Sequence, residues 1–181
     1  IAPRVGKRGR LFKMIKFRSM RIGADLEKID STSINDSRIT KIGHLMRKYK
    51  IDELAQLINV LNGSMSLVGP RPNVKRETDL YSNEERKILN VKPGITDFAS
   101  IVFSDEAFIL EGSEDPDIAY NQLIRPWKSK LAIIYSKKNN IIIDIFLIVI
   151  TIIGLFSRSK SLFLLVKLLK RLNVNKEVLN V

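Results

Sequence analysis

Residues 141–156, IIIDIFLIVITIIGLF, constrain the chain most, because they are apolar throughout except for Asp144 and Thr151. A straight bilayer span wants about 20 apolar residues. The run is 16 residues long, so it is short for a crossing, yet too apolar to stand open to water without much covering protein. After a break at Arg158 and Lys160, Ser161–Leu172 places Leu162, Leu165, Leu169 and Leu172 on a face apart from Lys167, Lys170 and Arg171. That is the pattern of a basic amphipathic helix lying in a membrane interface. The alternative is an ordinary pair of core helices.

The charge is placed unevenly. Residues 1–50 carry 14 Lys/Arg against 4 Asp/Glu, residues 51–120 carry 6 against 13, and residues 121–181 carry 11 against 2. Two basic ends therefore flank an acidic middle, and basic blocks attract phosphates on lipid, nucleotide or nucleic acid. With 181 residues there is room for one domain with a real core. No cysteine is present, which removes disulfides, thiol catalysis and cysteine-ligated zinc.

Along the chain, residues 3–20 read as a small β-hairpin about a Lys7-Arg8-Gly9 turn. Its second strand carries Lys16 and Arg18 on one side and Phe17 in the core. Residues 21–37 read as a polar loop with a short helical piece around Ala24–Lys28. A helix is predicted from Arg38 to Tyr49, with Ile39, Ile42, Leu45 and Met46 at helical spacing. A second runs from Asp52 to Gly63: Leu54, Leu57, Ile58 and Leu61 make one apolar stripe, Asp52 serves as N-cap and Gly63 as the C′ residue. Gly69-Pro70-Arg71-Pro72 is a rigid turn. One or two short helices follow in 73–90, then Lys92-Pro93-Gly94, a strand over Ile95–Phe103 and an acidic loop over Ser104–Asp117. A helix from about Ile118 to Lys137 must bend or break near Pro126.

Three clusters carry chemistry. Asp52 and Glu53 are adjacent carboxylates at a helix start, where free N–H groups favour a phosphate and keep a carboxylate ionised, as a nucleophile or Mg²⁺ ligand must be. Alone, such a pair is usually a cap with a dipole-friendly neighbour. Lys16 and Arg18 are two cations suited to a diphosphate. Arg71, clamped between prolines, is a stiffly aimed guanidinium. No P-loop, histidine cluster or nucleophile elbow occurs, and the single histidine, His44, sits inside a helical pattern.

The order and wording of these segments say more than each does singly. KFRSM (16–20), DSRITKIGHLMRKYKIDELAQLINVLNGSMSLVGPRP (36–72) and KPGIT (92–96) strongly resemble the bacterial sugar-transferase family, the monotopic polyprenyl-phosphate sugar-1-phosphate transferases that initiate capsule, O-antigen, exopolysaccharide and glycoprotein glycan synthesis. The resemblance implies that Asp52 attacks the β-phosphate of a UDP-sugar, releases UMP and carries a covalent phospho-sugar to a polyprenyl phosphate. It also implies that Glu53 helps Asp52 bind Mg²⁺, that Lys16, Arg18, Arg47 and Arg71 contact the phosphates, and that Gln56 lines the site. Asp144 matches an acidic residue of the family's late amphipathic region, with an interfacial role. The implied place is the cytoplasmic face of the bacterial inner membrane, with the membrane surface as a partner and no nucleic acid. The sequence leaves a homodimer open.

Two departures stand out. Family members begin with an N-terminal membrane helix, which residues 1–181 lack, so either the chain is a catalytic fragment or the protein anchors in another way. After KPGIT, many relatives continue Gly-Trp-Ala-Gln, whereas Asp97-Phe98-Ala99-Ser100 stands here, which reads as altered sugar or nucleotide selection. The expected fold is α+β and mostly helical, with a small N-terminal β-hairpin, catalytic helices and C-terminal amphipathic membrane-surface helices. Residues 1–138 are expected to form the catalytic sugar-transferase domain and 139–181 an apolar and basic membrane-associated region, within the same domain or as an appendage to it. A non-catalytic membrane-associated scaffold and a basic nucleic-acid-binding protein are the competing readings. The second lacks any helix-turn-helix, RRM or zinc signature.

Overall fold

Alternation and a Gly turn make the first element a hairpin. In the computed structural model, which describes residues 3–24, 36–175 and 177, β1 (Pro3–Val5) pairs antiparallel with β2 (Leu11–Lys13), Arg4 opposite Phe12. Arg8 and Gly9 supply the positive φ that the connecting turn needs. The second strand stops at Lys13, well short of the expected Met20. A side chain replaces the ladder beyond it: Asn59 accepts from the Ile15 N–H at 2.9 Å and donates to the Lys13 carbonyl at 2.9 Å. The Phe17 N–H then bonds to the Asp52 carbonyl at 3.1 Å. Phe17 is exposed, not in the core as expected. The predicted helical piece at Ala24–Lys28 lies almost wholly outside the described residues.

Asn59 is thus a buried polar clamp between the hairpin and the helix that follows. Asn59→Ala removes both of these partly buried hydrogen bonds and is expected to cost about 1–3 kcal/mol. Urea denaturation measures this; a loss of a few tenths or less would mean the clamp contributes nothing.

Helix α1 (Lys41–Lys48) starts where Thr40 Oγ1 accepts from the Gly43 N–H at 2.9 Å. Gly43 lies so close to the first segment that a Cβ there would stand 1.9 Å from the Ser19 carbonyl oxygen. The expected helix of 52–63 divides into a 3-10 turn, Ile51–Gln56, and α2 (Leu57–Leu61). Gly63 follows with φ 77°, the left-handed conformation its C′ place requires. β3 (Ser66–Val68) pairs parallel with β4 (Gly94–Thr96), and α3 (Lys75–Asp79) and a 3-10 turn, Glu85–Asn90, lie between them.

The strand expected over Ile95–Phe103 ends at Thr96. Asp97 turns the chain by accepting from the Ser100 N–H at 2.7 Å, an N-cap that starts α4 (Phe98–Val102). The acidic loop holds two short helices, α5 (Glu106–Ile109) and α6 (Pro116–Ala119), the latter capped by Asp115. The bend foreseen near Pro126 is a π turn, Tyr120–Ile124, before α7 (Arg125–Lys138).

Helices α8 (Ile141–Phe156) and α9 (Arg158–Arg171) fold back on one another. Ile143, Leu147 and Ile150 of the first and Leu165 and Leu169 of the second join Phe98, Ile101 and Leu131 in one core. The opposite face of α8, including Ile145, Val149, Ile152 and Phe156, is exposed. Asp144 is half-buried and accepts from the Tyr135 hydroxyl at 2.7 Å, tying α8 to α7. Arg158 fastens the α8–α9 joint to the end of α4 through the carbonyls of Ile101 and Val102 and through Asp105. The chain is mostly helical α+β. Among the described residues no helix is long and apolar enough to cross a membrane.

Candidate active site

A left-handed residue opens the site. Lys50 has φ 56° and turns the chain from α1 into the 3-10 turn that carries Asp52 and Glu53. Asp52 was expected as the N-cap of an α-helix. Lys50 holds that position instead, without a side-chain cap bond, and Asp52 lies one residue inside the turn. The polar residues of this segment face inward: Asp52 is 6% exposed and Gln56 1%, while Leu54, Leu57, Ile58 and Leu61 face outward. The apolar stripe read from the sequence therefore exists, but on the outer face.

The two carboxylates have different surroundings. Glu53 Oε1 lies 3.0 Å from Arg71 Nη1 and 3.4 Å from Lys16 Nζ. Burial alone would raise its pKa, but Arg71, Lys16 and Lys50 outweigh it and hold the carboxyl at about 2. Asp52 has one cation at the edge of pairing distance, Lys16 at 4.0 Å from Oδ2. Burial and the neighbouring Arg71 push the Lys16 ammonium down to about 8, against the pull of the two carboxylates.

Arg71 is held by backbone more than by its own side chain. The Gly69 N–H bonds to the Thr96 carbonyl at 2.9 Å and the Gly94 N–H to the Pro70 carbonyl at 3.1 Å. A Cβ on Gly69 would stand 2.3 Å from the Lys92 carbonyl oxygen, so only glycine lets the turn lie this close to the Lys92-Pro93-Gly94 segment. Glu53 raises the pKa of Arg71, which stays charged throughout the accessible range.

The structure brings Lys16, Asp52, Glu53 and Arg71 together. Arg47 donates to Ser19 Oγ at 2.9 Å and feels Asp52 as its strongest attractive charge. Gln56 is buried, and its Nε2 has no hydrogen-bond partner, an unspent donor one turn beyond the pair. Arg18 does not join: it is exposed, and the strand that was to align it with Lys16 is absent. Arg4 went unread in the sequence. Its Nη1 is buried without a partner, and Arg71 is the charge acting on it most. Nothing local marks it, because the hairpin carries it to Arg71 only in three dimensions.

The family model for bacterial sugar transferases matches residues 1–158. The chain belongs to the bacterial sugar transferase family. It is 43% identical over 138 residues to the galactosyl transferase CpsE of Streptococcus agalactiae, an alignment covering 64% of this chain and 31% of that protein. To the UDP-galactose-lipid carrier transferase of Erwinia amylovora it is 44% identical over 108 residues, 51% and 23% of the two chains. To the UDP-glucose:undecaprenyl-phosphate glucose-1-phosphate transferase of Escherichia coli it is 41% identical over 101 residues, 54% and 22%. The stretches it matches thus make up less than a third of each of these relatives.

Proposed function

We propose that this sugar transferase moves a sugar 1-phosphate from a UDP-sugar to a polyprenyl phosphate at the cytoplasmic face of the bacterial inner membrane. The observation that carries the reading is the unequal pair. Glu53 is engaged by two cations, while the buried Asp52 next to it keeps its oxygens nearly free. An engaged carboxylate is a poor nucleophile and a free one beside fixed cations a good one. An Asp52 oxygen attacks the β-phosphorus, and the bond from that phosphorus to the bridging oxygen breaks, so UMP leaves with the electron pair. An oxygen of the polyprenyl phosphate then attacks the same phosphorus, which frees the Asp52 carboxylate and gives a polyprenyl-diphospho-sugar. Arg71 and Lys16 hold the equatorial phosphate oxygens as charge builds. Arg47, Gln56 and Arg4 line the approach.

Asp52 and the unpaired Glu53 oxygen also suit Mg²⁺, which takes one or two carboxylates and completes its shell with phosphate oxygens and water. The ion would neutralise the developing charge on the diphosphate. Among the described residues no group of three or more acidic or histidine ligands could hold a metal alone, which fits an ion that arrives with its substrate.

A lipid acceptor requires the site to lie near a bilayer. Two features support this: the outward stripe of Leu54, Leu57, Ile58 and Leu61 on the segment bearing the pair, and the exposed face of α8 beside the basic residues of α9.

The test is UMP release from a panel of UDP-sugars with Mg²⁺, detergent and polyprenyl phosphate, using the protein expressed from its complete gene. Acceptor-dependent UMP from one sugar is expected. No UMP from any, with the protein folded and membrane-bound, would favour a scaffold instead. Lys16 adds a pH signature. Its ammonium neutralises as pH rises through about 8, so kcat/KM should fall about tenfold per pH unit above that point. In Lys16→Arg the cation persists and this alkaline limb should move up by more than a unit. An unchanged limb in that variant would exclude Lys16 as its source.

A further inference from the structure

Beside Arg71 lies a second polar group that the phosphate chemistry does not use. Glu106, the first residue of α5, accepts a hydrogen bond from the Lys128 ammonium of α7. That ammonium sits 5.1 Å from the ring centroid of Tyr120, the first residue of the π turn. Behind them is Asp97, wholly buried. Its Oδ1 accepts from the Ser100 N–H at 2.7 Å and the Ser100 hydroxyl at 2.6 Å, but its Oδ2 is buried with no hydrogen-bond partner. The charges that act on Asp97 most are those of Lys128 and Arg71, and Arg71 in turn feels Glu106 and Tyr120 after Glu53.

Two observations mark this group as more than packing. A buried carboxylate oxygen left without a partner is costly, and native structures keep few of them without a reason. The π turn that sets Tyr120 is a rare element found often at functional sites. Burial raises the pKa of both the Asp97 carboxyl and the Tyr120 phenol and lowers that of the Lys128 ammonium. The environment is thus one where hydrogen bonds discriminate strongly.

The chemistry of the group is wrong for phosphate, since two carboxylates would repel it. It suits a polyol: carboxylates accept from neighbouring hydroxyls, an ammonium donates to them, and an aromatic face covers apolar C–H edges. The place is also right. Gly69, two residues before Arg71, donates its N–H to the carbonyl of Thr96, the residue before Asp97, at 2.9 Å, so the turn that carries Arg71 lies against this group and a β-phosphate held by Arg71 carries its hexose toward Glu106 and Tyr120.

We propose that Glu106, Lys128 and Tyr120, with Asp97 and Ser100 behind them, form the subsite that reads the hydroxyls of the donor's hexose. The proposal rests on the transferase reading above. Asp97 acts as a positioning residue: when Glu106 turns to the sugar, Lys128 gains the unpaired Oδ2 as its partner.

The test compares wild type with Glu106→Gln, Tyr120→Phe and Asp97→Asn, all expressed from the complete gene. It measures UDP affinity by calorimetry and kcat/KM for UDP-glucose, UDP-galactose and their N-acetyl counterparts. UDP affinity should stay within about twofold. For Glu106→Gln, kcat/KM on the preferred sugar should fall about 10- to 100-fold, with less change on its 4-epimer, so the ratio between the two collapses. Preserved sugar ratios with UDP and all donors weakened together would overturn the subsite and assign the group to the phosphates. Preserved ratios with no loss at all would overturn it too. A wild type that turns over no donor would overturn the transferase reading along with it. Should Asp97→Asn not fold, the Glu106 variant decides the matter, since it keeps shape and volume and removes only the charge that accepts from the sugar hydroxyls.

Discussion

Asp52→Asn is expected to lower UMP release by at least about a thousandfold, because the amide cannot attack phosphorus, while the isosteric side chain keeps the packing of the 3-10 turn. The same variant should show no mass increase when incubated with donor alone, whereas wild type gains a phospho-sugar. Glu53→Gln is expected to keep that adduct and lose about a hundredfold in rate. Glu53 is held by Arg71 at 3.0 Å and Lys16 at 3.4 Å, so its loss disturbs the cations without removing the nucleophile. An adduct retained in Asp52→Asn and lost in Glu53→Gln would exchange the two roles. Position at a helix start cannot separate these carboxylates. What separates them is where the cations stand, and that is a property of the folded chain.

The same division runs through the fold. The hairpin turn, the short helical pieces within 73–90, the irregularity before Pro126 and the helices after residue 140 were legible because each rests on local chemistry: a Gly turn, a Pro, an unbroken apolar run. The segment bearing the pair was half legible. Periodicity correctly grouped Leu54, Leu57, Ile58 and Leu61 on one face, but it does not say which medium the face meets. Here the buried face is Asp52, Ala55, Gln56 and Asn59, and the leucines point outward. A reader who equates apolar with inside inverts this segment. Lys16 and Arg18 were aligned on a strand that Asn59 replaces with side-chain hydrogen bonds, so only Lys16 reaches the pair. The strand expected after Ile95 gave way to the Asp97 cap, whose one hydrogen bond to the Ser100 N–H redirects the chain into a helix. Arg4 on the one hand and Glu106, Tyr120 and Lys128 on the other lie far from Arg71 in sequence, and their charges bear on it only in the folded chain.

Arg71 gives the other large effect, because it serves two partners at once. Arg71→Ala removes the main cation from the β-phosphate and is expected to cost about 10²- to 10³-fold in kcat/KM. It also strips Glu53 of its nearest cation. Since Arg71 is itself partly exposed, the stability loss is discounted to about 1–3 kcal/mol. The sign with pH follows from Glu53. Its folded pKa of about 2 lies below the usual carboxylate value, so the ion pair contributes fully above about pH 4.5 and fades as pH falls toward 2. In Arg71→Ala the Glu53 pKa rises, and acid unfolding should begin at higher pH than in wild type. Arg71→Ala combined with Glu53→Gln removes the stranded charge as well. Thermal melting should therefore recover in the double variant while UMP release does not. Measured against Glu53→Gln alone, that split separates a catalytic cation from a structural one, since a merely structural arginine would leave the double variant as active as Glu53→Gln. If the double variant melts no higher than Arg71→Ala alone, the cost lies in the loss of the proline-clamped turn, and the Glu53–Arg71 pair contributes nothing to folding.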